Sequence, residues 1–188
     1  EHNVELLAPL AYSAVPIVGT EPSCTLTLTD EYPQLVRSTA ARRVASQTMM
    51  LETFLLQVLD SRPELSRSLF HHSAGNSSGE QFLYHAHCHQ KALVGSGDAV
   101  RLMGLAFGDR ATEINSGCCG MAGSFGHERE HYEVAKAMGE QRLFPVIRSA
   151  PGAQIAVEGF SCRQQVEHHT EVQPRHLVEY LADAVMGR

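Results

Sequence analysis

Cys118 and Cys119 are adjacent, inside the run Ser116-Gly117-Cys118-Cys119-Gly120-Met121-Ala122-Gly123-Ser124-Phe125-Gly126. Vicinal thiols between glycines make a poor core and a poor loop unless something must approach the backbone closely and be gripped by sulfur. A metal centre meets that description. The two neighbours do not readily bond to each other, because relaxed disulfide geometry separates Cα atoms by about 4.4 to 6.8 Å and chain neighbours sit about 3.8 Å apart. Cys88 precedes the pair with 29 residues between, and Cys162 follows it with 42 between, giving the pattern C-x29-C-C-G-x41-C. Thiolates are the ligands preferred by iron-sulfur clusters, zinc and copper, and four of them from three segments can close one site. A single cysteine is most simply a small buried hydrophobe. That role does not account for the set.

These sulfurs have to be positioned by a framework. The chain has 188 residues, 43% of them hydrophobic and 19% charged, which suits an ordinary globular fold with a substantial core. Its formal net charge of −6 argues against nucleic acid and anionic membrane surfaces as partners. No apolar run approaches the roughly 20 residues of a membrane span, and Glu1-His2-Asn3-Val4-Glu5 lacks a signal pattern, so a cytoplasmic location is expected, with any membrane association made through a partner. Five cysteines, an odd number, do not form a secreted disulfide framework.

Strand patterns fall at Ala14 to Gly19, Phe82 to His85, Thr112 to Asn115 and Gln154 to Val157. Helix patterns fall near Asp30 to Val36, at Thr48 to Leu59, at Asp98 to Phe107, from about Glu128 to Arg148 with Pro145 kinking or ending it, and at Pro174 to Val185. Ser73 to Gly79 has the composition of a linker. Alternation of strand and helix predicts an α/β fold with a parallel sheet, in which ligands gather beyond the carboxyl ends of the strands. Cys24, Cys88, Cys118 and Cys162 each follow a predicted strand and should share that edge. A faint internal repeat is also present: Val15-Pro16-Ile17-Val18 leading to Ser23-Cys24 echoes Gln154-Ile155-Ala156-Val157 leading to Ser161-Cys162. If it is real, the chain is two halves with the first truncated.

Together, His87-Cys88-His89, the run Gly117 to Gly126 and Ser161-Cys162 resemble the cysteine-rich domain defined by a Cys-Cys-Gly motif. That domain occurs in heterodisulfide reductase B subunits, in iron-sulfur subunits of glycolate oxidase and anaerobic glycerol-3-phosphate dehydrogenase, and at the carboxyl end of large FAD-linked oxidases similar to D-lactate and other 2-hydroxy acid dehydrogenases. The resemblance runs from Val15 to Val185 and is nearest the fused FAD-linked type. It implies Rossmann-like parallel layers with helices on both faces, residues 1–72 as the remainder of a first copy, and residues 80–188 as a second copy holding a [4Fe-4S] cluster on Cys88, Cys118, Cys119 and Cys162. Cys24 matches the last cysteine of the first copy. Where many members carry Cys-x-x-Cys, this chain has Gly159-Phe160-Ser161-Cys162 and Glu21-Pro22-Ser23-Cys24, so each half lacks the first cysteine of the pair and electron transfer is a safer inference than disulfide chemistry.

On that resemblance, FAD belongs to a partner dehydrogenase domain or subunit, an electron acceptor lies beyond, and the chain alone is not the catalyst. Gly117 and Gly120 leave room for inorganic sulfide, and the amides of Met121, Ala122 and Gly123, at the start of the following helix, can point at the cluster. His85, His87 and His89 are expected to be structural or to bond cluster sulfur rather than ligate, and alternation would put them on one side. His127 faces either cofactor or solvent, His71-His72 and His168-His169 belong to the surface, and Lys91 and Arg163 either offset cluster charge or are solvated. Zinc on the same cysteines is the main alternative. A nucleophilic Cys88 activated by a neighbouring histidine is a third, and it leaves Cys118 and Cys119 without a role.

Overall fold

A computed structural model describes residues 1–70 and 79–187. His71, His72 and most of the expected linker, Ser73 to Ser78, lie outside the described residues. Helix α1 (His2–Tyr12) precedes strand β1 (Ile17–Gly19), which pairs in parallel with β2 (Thr48–Met50) after α2 (Pro22–Thr29), α3 (Glu31–Val36) and α4 (Thr39–Gln47). Helices α5 (Leu51–Ser61) and α6 (Pro63–Leu69) follow. Strand β3 (Phe82–His85) is the centre of a second sheet, flanked in parallel by β4 (Ala111–Glu113) and β5 (Gln154–Val157). Helices α7 (Cys88–Leu93) and α8 (Gly97–Phe107) join β3 to β4, and α9 (Tyr132–Glu140) and α10 (Leu143–Arg148) lie before β5. After β5 come α11 (Phe160–Thr170) and α12 (Leu177–Met186). The fold is therefore α/β with short parallel sheets.

Side chains alternate across the three-stranded sheet, as the strand period of two requires. Phe82, Tyr84 and Ala156 enter a core with Leu59 of α5, Leu102 and Met103 of α8 and Leu181 of α12. Leu83, Ile155 and Val157 enter another with Phe144 and Ile147 of α10, Val166 of α11, and Cys119, Met121 and Cys162. Each large aliphatic side chain so buried contributes about 1.5–3 kcal/mol. The site is thus built into a core, and its sulfurs inherit the rigidity of that packing. A third core, Val4, Ala8 and Ala11 against Ala41 and Val44, joins α1 to α4.

Three local expectations change. Thr48, expected to start a helix, instead ends α4 by donating its hydroxyl to the Val44 carbonyl at 2.8 Å, and Thr48 to Met50 pair with β1, so the helix starts at Leu51. The helix expected from Glu128 to Arg148 begins at Tyr132 and breaks after Glu140. Pro145 explains the break, because a proline ring clashes with the carbonyl four residues earlier, here Gln141, between the two helices. The last helix starts at Leu177 rather than Pro174, with His176 and Glu179 closing a reciprocal cap. No helix among the described residues is long and apolar enough to cross a membrane.

Candidate metal centre

Parallel strands end on the same edge, and this sheet delivers a cysteine after each of its three strands. Cys88 is three residues past β3, Cys118 five past β4 and Cys162 five past β5. Cys88 opens α7 and Cys162 sits in the first turn of α11, while Cys118 and Cys119 ride on the loop between them. The sulfurs meet: Cys88 Sγ donates to Cys118 Sγ at 3.7 Å, the sulfurs of Cys119 and Cys162 lie within 4.8 Å of each other, and both of the latter are buried.

Loop geometry aims amides at sulfur. The N–H of Gly120 donates to Cys118 Sγ at 3.3 Å, that of Ala122 also reaches Cys118, and that of Met121 reaches Cys119. Gly120, Ala122 and Gly123 all have positive φ, at 102°, 43° and 68°, which curls successive N–H groups toward an anion. Gly120 is required twice over, since a Cβ there would stand 2.0 Å from the Ala135 carbonyl oxygen. At Gly117 a Cβ would meet nothing within 4 Å, so packing does not demand that glycine. Met121 is buried in the core, and the expected helix start at this loop is replaced by a short 3-10 turn, Phe125–His127. Amide direction here comes from the loop rather than from a helix end.

The thiols divide into two kinds. Hydrogen bonds from Cys119 and Cys88, with the Gly120 and Ala122 amides, hold Cys118 far below the ordinary thiol range. Interaction with Cys119 lowers Cys162. Cys88 and Cys119 are the donors to these sulfurs and are raised, chiefly by those bonds and by burial. Thiols that share hydrogen bonds in this way bind a cation with release of their protons.

The three histidines around Cys88 do not share a side. His85 is fully buried at the end of β3, with Nδ1 2.8 Å from Ser116 Oγ and Nε2 without a hydrogen-bond partner. A ring nitrogen of His85 and the sulfurs of Cys119 and Cys162 lie within 4.8 Å of one another. His87 caps α7, its Nε2 3.4 Å from Ser23 Oγ, and its ring fills the space of a side chain at Gly159, where a Cβ would be 2.4 Å from His87 Cδ2. His89 faces Glu31 at 3.7 Å. Lys91 ties the site together by donating to the Ser116 carbonyl at 2.7 Å, and Arg163 faces Glu179 at 3.7 Å. His127 is exposed; Tyr132 contacts exposed His168 at 3.0 Å, and partly covered His169 stacks near Phe144.

Cys24 lies apart from this group. It is exposed on α2 and lines a cavity of about 550 Å³ with Leu6, Leu7 and Tyr32, although its neighbour Ser23 touches His87.

Sequence reasoning gave no role to a second buried set behind the sulfurs. Tyr84 donates to Glu158 Oε2 at 2.5 Å and Gln90 donates to Glu52 Oε1 at 2.5 Å. The Gln90 amide also reaches Glu158, and burial pushes Glu158 up to about 8 and Glu52 up to about 7. One signal was available: Glu158 interrupts the apolar stretch Ile155-Ala156-Val157 and Gly159-Phe160 at the end of β5.

The chain matches no family model and no solved structure. It is similar to proteins named D-2-hydroxyglutarate dehydrogenase, at 29% identity over 184 residues in Pantoea ananatis and 31% over 182 in Pseudomonas putida. It is also 24% identical over 184 residues to one of the subunits of anaerobic glycerol-3-phosphate dehydrogenase from Escherichia coli K12. These alignments take in 97%, 94% and 97% of this chain but only 17%, 16% and 44% of the relatives. The similarity is therefore to one part of larger dehydrogenase components.

Proposed function

We propose that this chain is the electron-transfer part of a 2-hydroxy acid dehydrogenase-like oxidoreductase, built around a [4Fe-4S] cluster on Cys88, Cys118, Cys119 and Cys162. The observation that carries it is the convergence of four sulfurs from three parallel strand ends, with amides of one loop turned onto two of them. Similarity to parts of two dehydrogenase components supports placing the oxidation of substrate elsewhere, on an FAD-bearing partner. When bound, the cluster supplies one-electron acceptance and release between that flavin and a further acceptor.

The residues present fit such a group. Gly120, Met121 and Ala122 offset the charge of Cys118 and Cys119 through their amides, and hydrogen bonds of this kind raise a reduction potential. The packed core of Leu83, Val157 and Phe144 keeps water from the inner side. Residues 1–72 are proposed as a related half, because β1 leads to Cys24 in the first turn of α2 as β5 leads to Cys162 in the first turn of α11.

One observation favours a second reading, a single tetrahedral ion such as zinc. The 3.7 Å between Cys88 and Cys118 sulfurs matches the edge of a tetrahedron with metal–sulfur bonds of about 2.3 Å, an edge of about 3.8 Å. Anaerobic purification followed by iron, sulfide and zinc determination separates the two. Iron and sulfide in about equal amounts, with an electron paramagnetic resonance signal on reduction, support the cluster; one zinc without sulfide overturns it.

A further inference from the structure

We propose that His85 is itself a ligand, its Nε2 binding metal beside Cys119 and Cys162, so that the centre is a mixed sulfur and nitrogen site. This rests on the metal-binding reading of the same pocket.

Burial is the first reason. His85 is 0% exposed, and a buried ring nitrogen left without a partner costs about 1–3 kcal/mol. Its Nε2 has no hydrogen-bond partner among the described residues. A ring nitrogen of His85 and the sulfurs of Cys119 and Cys162 lie within 4.8 Å of one another.

The second reason is the tautomer. Ser116 Oγ lies 2.8 Å from Nδ1 and 3.4 Å from the Ile114 carbonyl oxygen. A serine hydroxyl that donates to Ile114 accepts from Nδ1–H, which leaves the lone pair on Nε2, the ring nitrogen without a hydrogen-bond partner. Ligating histidines are generally held in this way through their other ring nitrogen. Ser116 is 5% exposed and is anchored further by Lys91, which grips its carbonyl at 2.7 Å. It is a positioning residue for the ring.

The third reason is selectivity among the histidines. His87 also has an unpartnered Nδ1, but its Nε2 lies against Ser23 and it is not grouped with both sulfurs, and His89 faces Glu31. His85 alone of the three brings a free nitrogen to two sulfurs. A neutral imidazole adds a ligand beside the thiolates without adding negative charge.

The test uses the whole chain, labelled with ¹⁵N-histidine and reconstituted anaerobically with ferrous iron and sulfide. Iron and sulfide are counted first, then pulsed electron paramagnetic resonance is recorded on the reduced protein. A nitrogen coupling of directly bonded size that changes between ¹⁴N and ¹⁵N protein supports the inference. The coupling should vanish in His85→Cys while iron is retained, and persist in Ser116→Ala with metal binding weakened about 10- to 100-fold. Iron and sulfide present without such a coupling in the unmutated protein overturns this inference alone. Protein that takes up no iron overturns the metal reading and this inference together.

Discussion

Two strand-to-helix units in this molecule look alike and end differently. Cys24 lies five residues past β1 and Cys162 five past β5, each in the first turn of the helix that follows. Cys162 is buried among sulfurs, whereas Cys24 is exposed. Neighbouring strands make the difference. β5 belongs to a sheet whose other two strands also lead to cysteines, while among the described residues β1 pairs only with β2, and β2 runs straight into α5 at Leu51 without one. A ligand-bearing turn becomes a site only when adjacent strand ends supply the rest of the donors.

The largest effect should come from breaking the buried unit. Cys118→Ser or Cys119→Ser should reduce bound metal to near zero, whereas Cys24→Ser should leave most of it in place, measured as metal per chain after anaerobic reconstitution. Equal losses would erase the distinction between the two units.

Next in size are the glycines on which close packing depends. Gly120→Ala adds a Cβ 2.0 Å from the Ala135 carbonyl oxygen at a φ of 102°, and strained backbone of this kind costs about 1–3 kcal/mol before the clash is counted. Thermal unfolding should show a loss of at least that size, together with loss of metal. Gly159→Ala should cost less, because the atom it meets at 2.4 Å belongs to the His87 side chain, and metal content should fall only in part as that ring is pushed away. In the other unit, Gly19→Ala meets Thr25 Oγ1 at 1.9 Å and should destabilise the fold without affecting metal stoichiometry.

A smaller effect concerns pH. Burial raises Glu158 from 4.5 to about 8, so between those values the native protein holds a proton that the unfolded chain has lost. Stability from this group is complete below about pH 4.5 and is lost as pH rises through about 8. The unpartnered Gln90 Oε1 fits this account, since a protonated carboxyl provides the donor it lacks. Glu158→Gln should flatten that slope and be more stable than the unmutated protein at pH 8, as measured by urea unfolding across the range. An unchanged slope would exclude Glu158 as its source.

Much of this was legible in the residues. Strand positions at Phe82 and Gln154, the helix carrying Cys162, and the grouping of cysteines at strand ends follow from apolar runs and parallel topology, both of which are local or nearly so. Thr48 to Met50 misled because a helical apolar pattern was overridden by pairing with β1, a partner 31 residues earlier in register. Proline was recognised at 145, but its effect falls four residues upstream, on Gln141. His85 could not be told from His87 and His89 by spacing, since what separates them is the contact with Ser116, 31 residues away. Apart from Glu158 in its apolar run, the buried Glu52, Gln90, Glu158 and Tyr84 set could not be read for the same reason: its members are up to 106 residues apart and meet only in the folded chain.

Metal and sulfide analysis of anaerobically purified protein tests the central claim most directly. The account predicts about four irons and four sulfides per chain, retained in Cys24→Ser and absent in Cys118→Ser. A colourless protein with one zinc and no sulfide, or one that binds no metal when iron and sulfide are supplied, would contradict it.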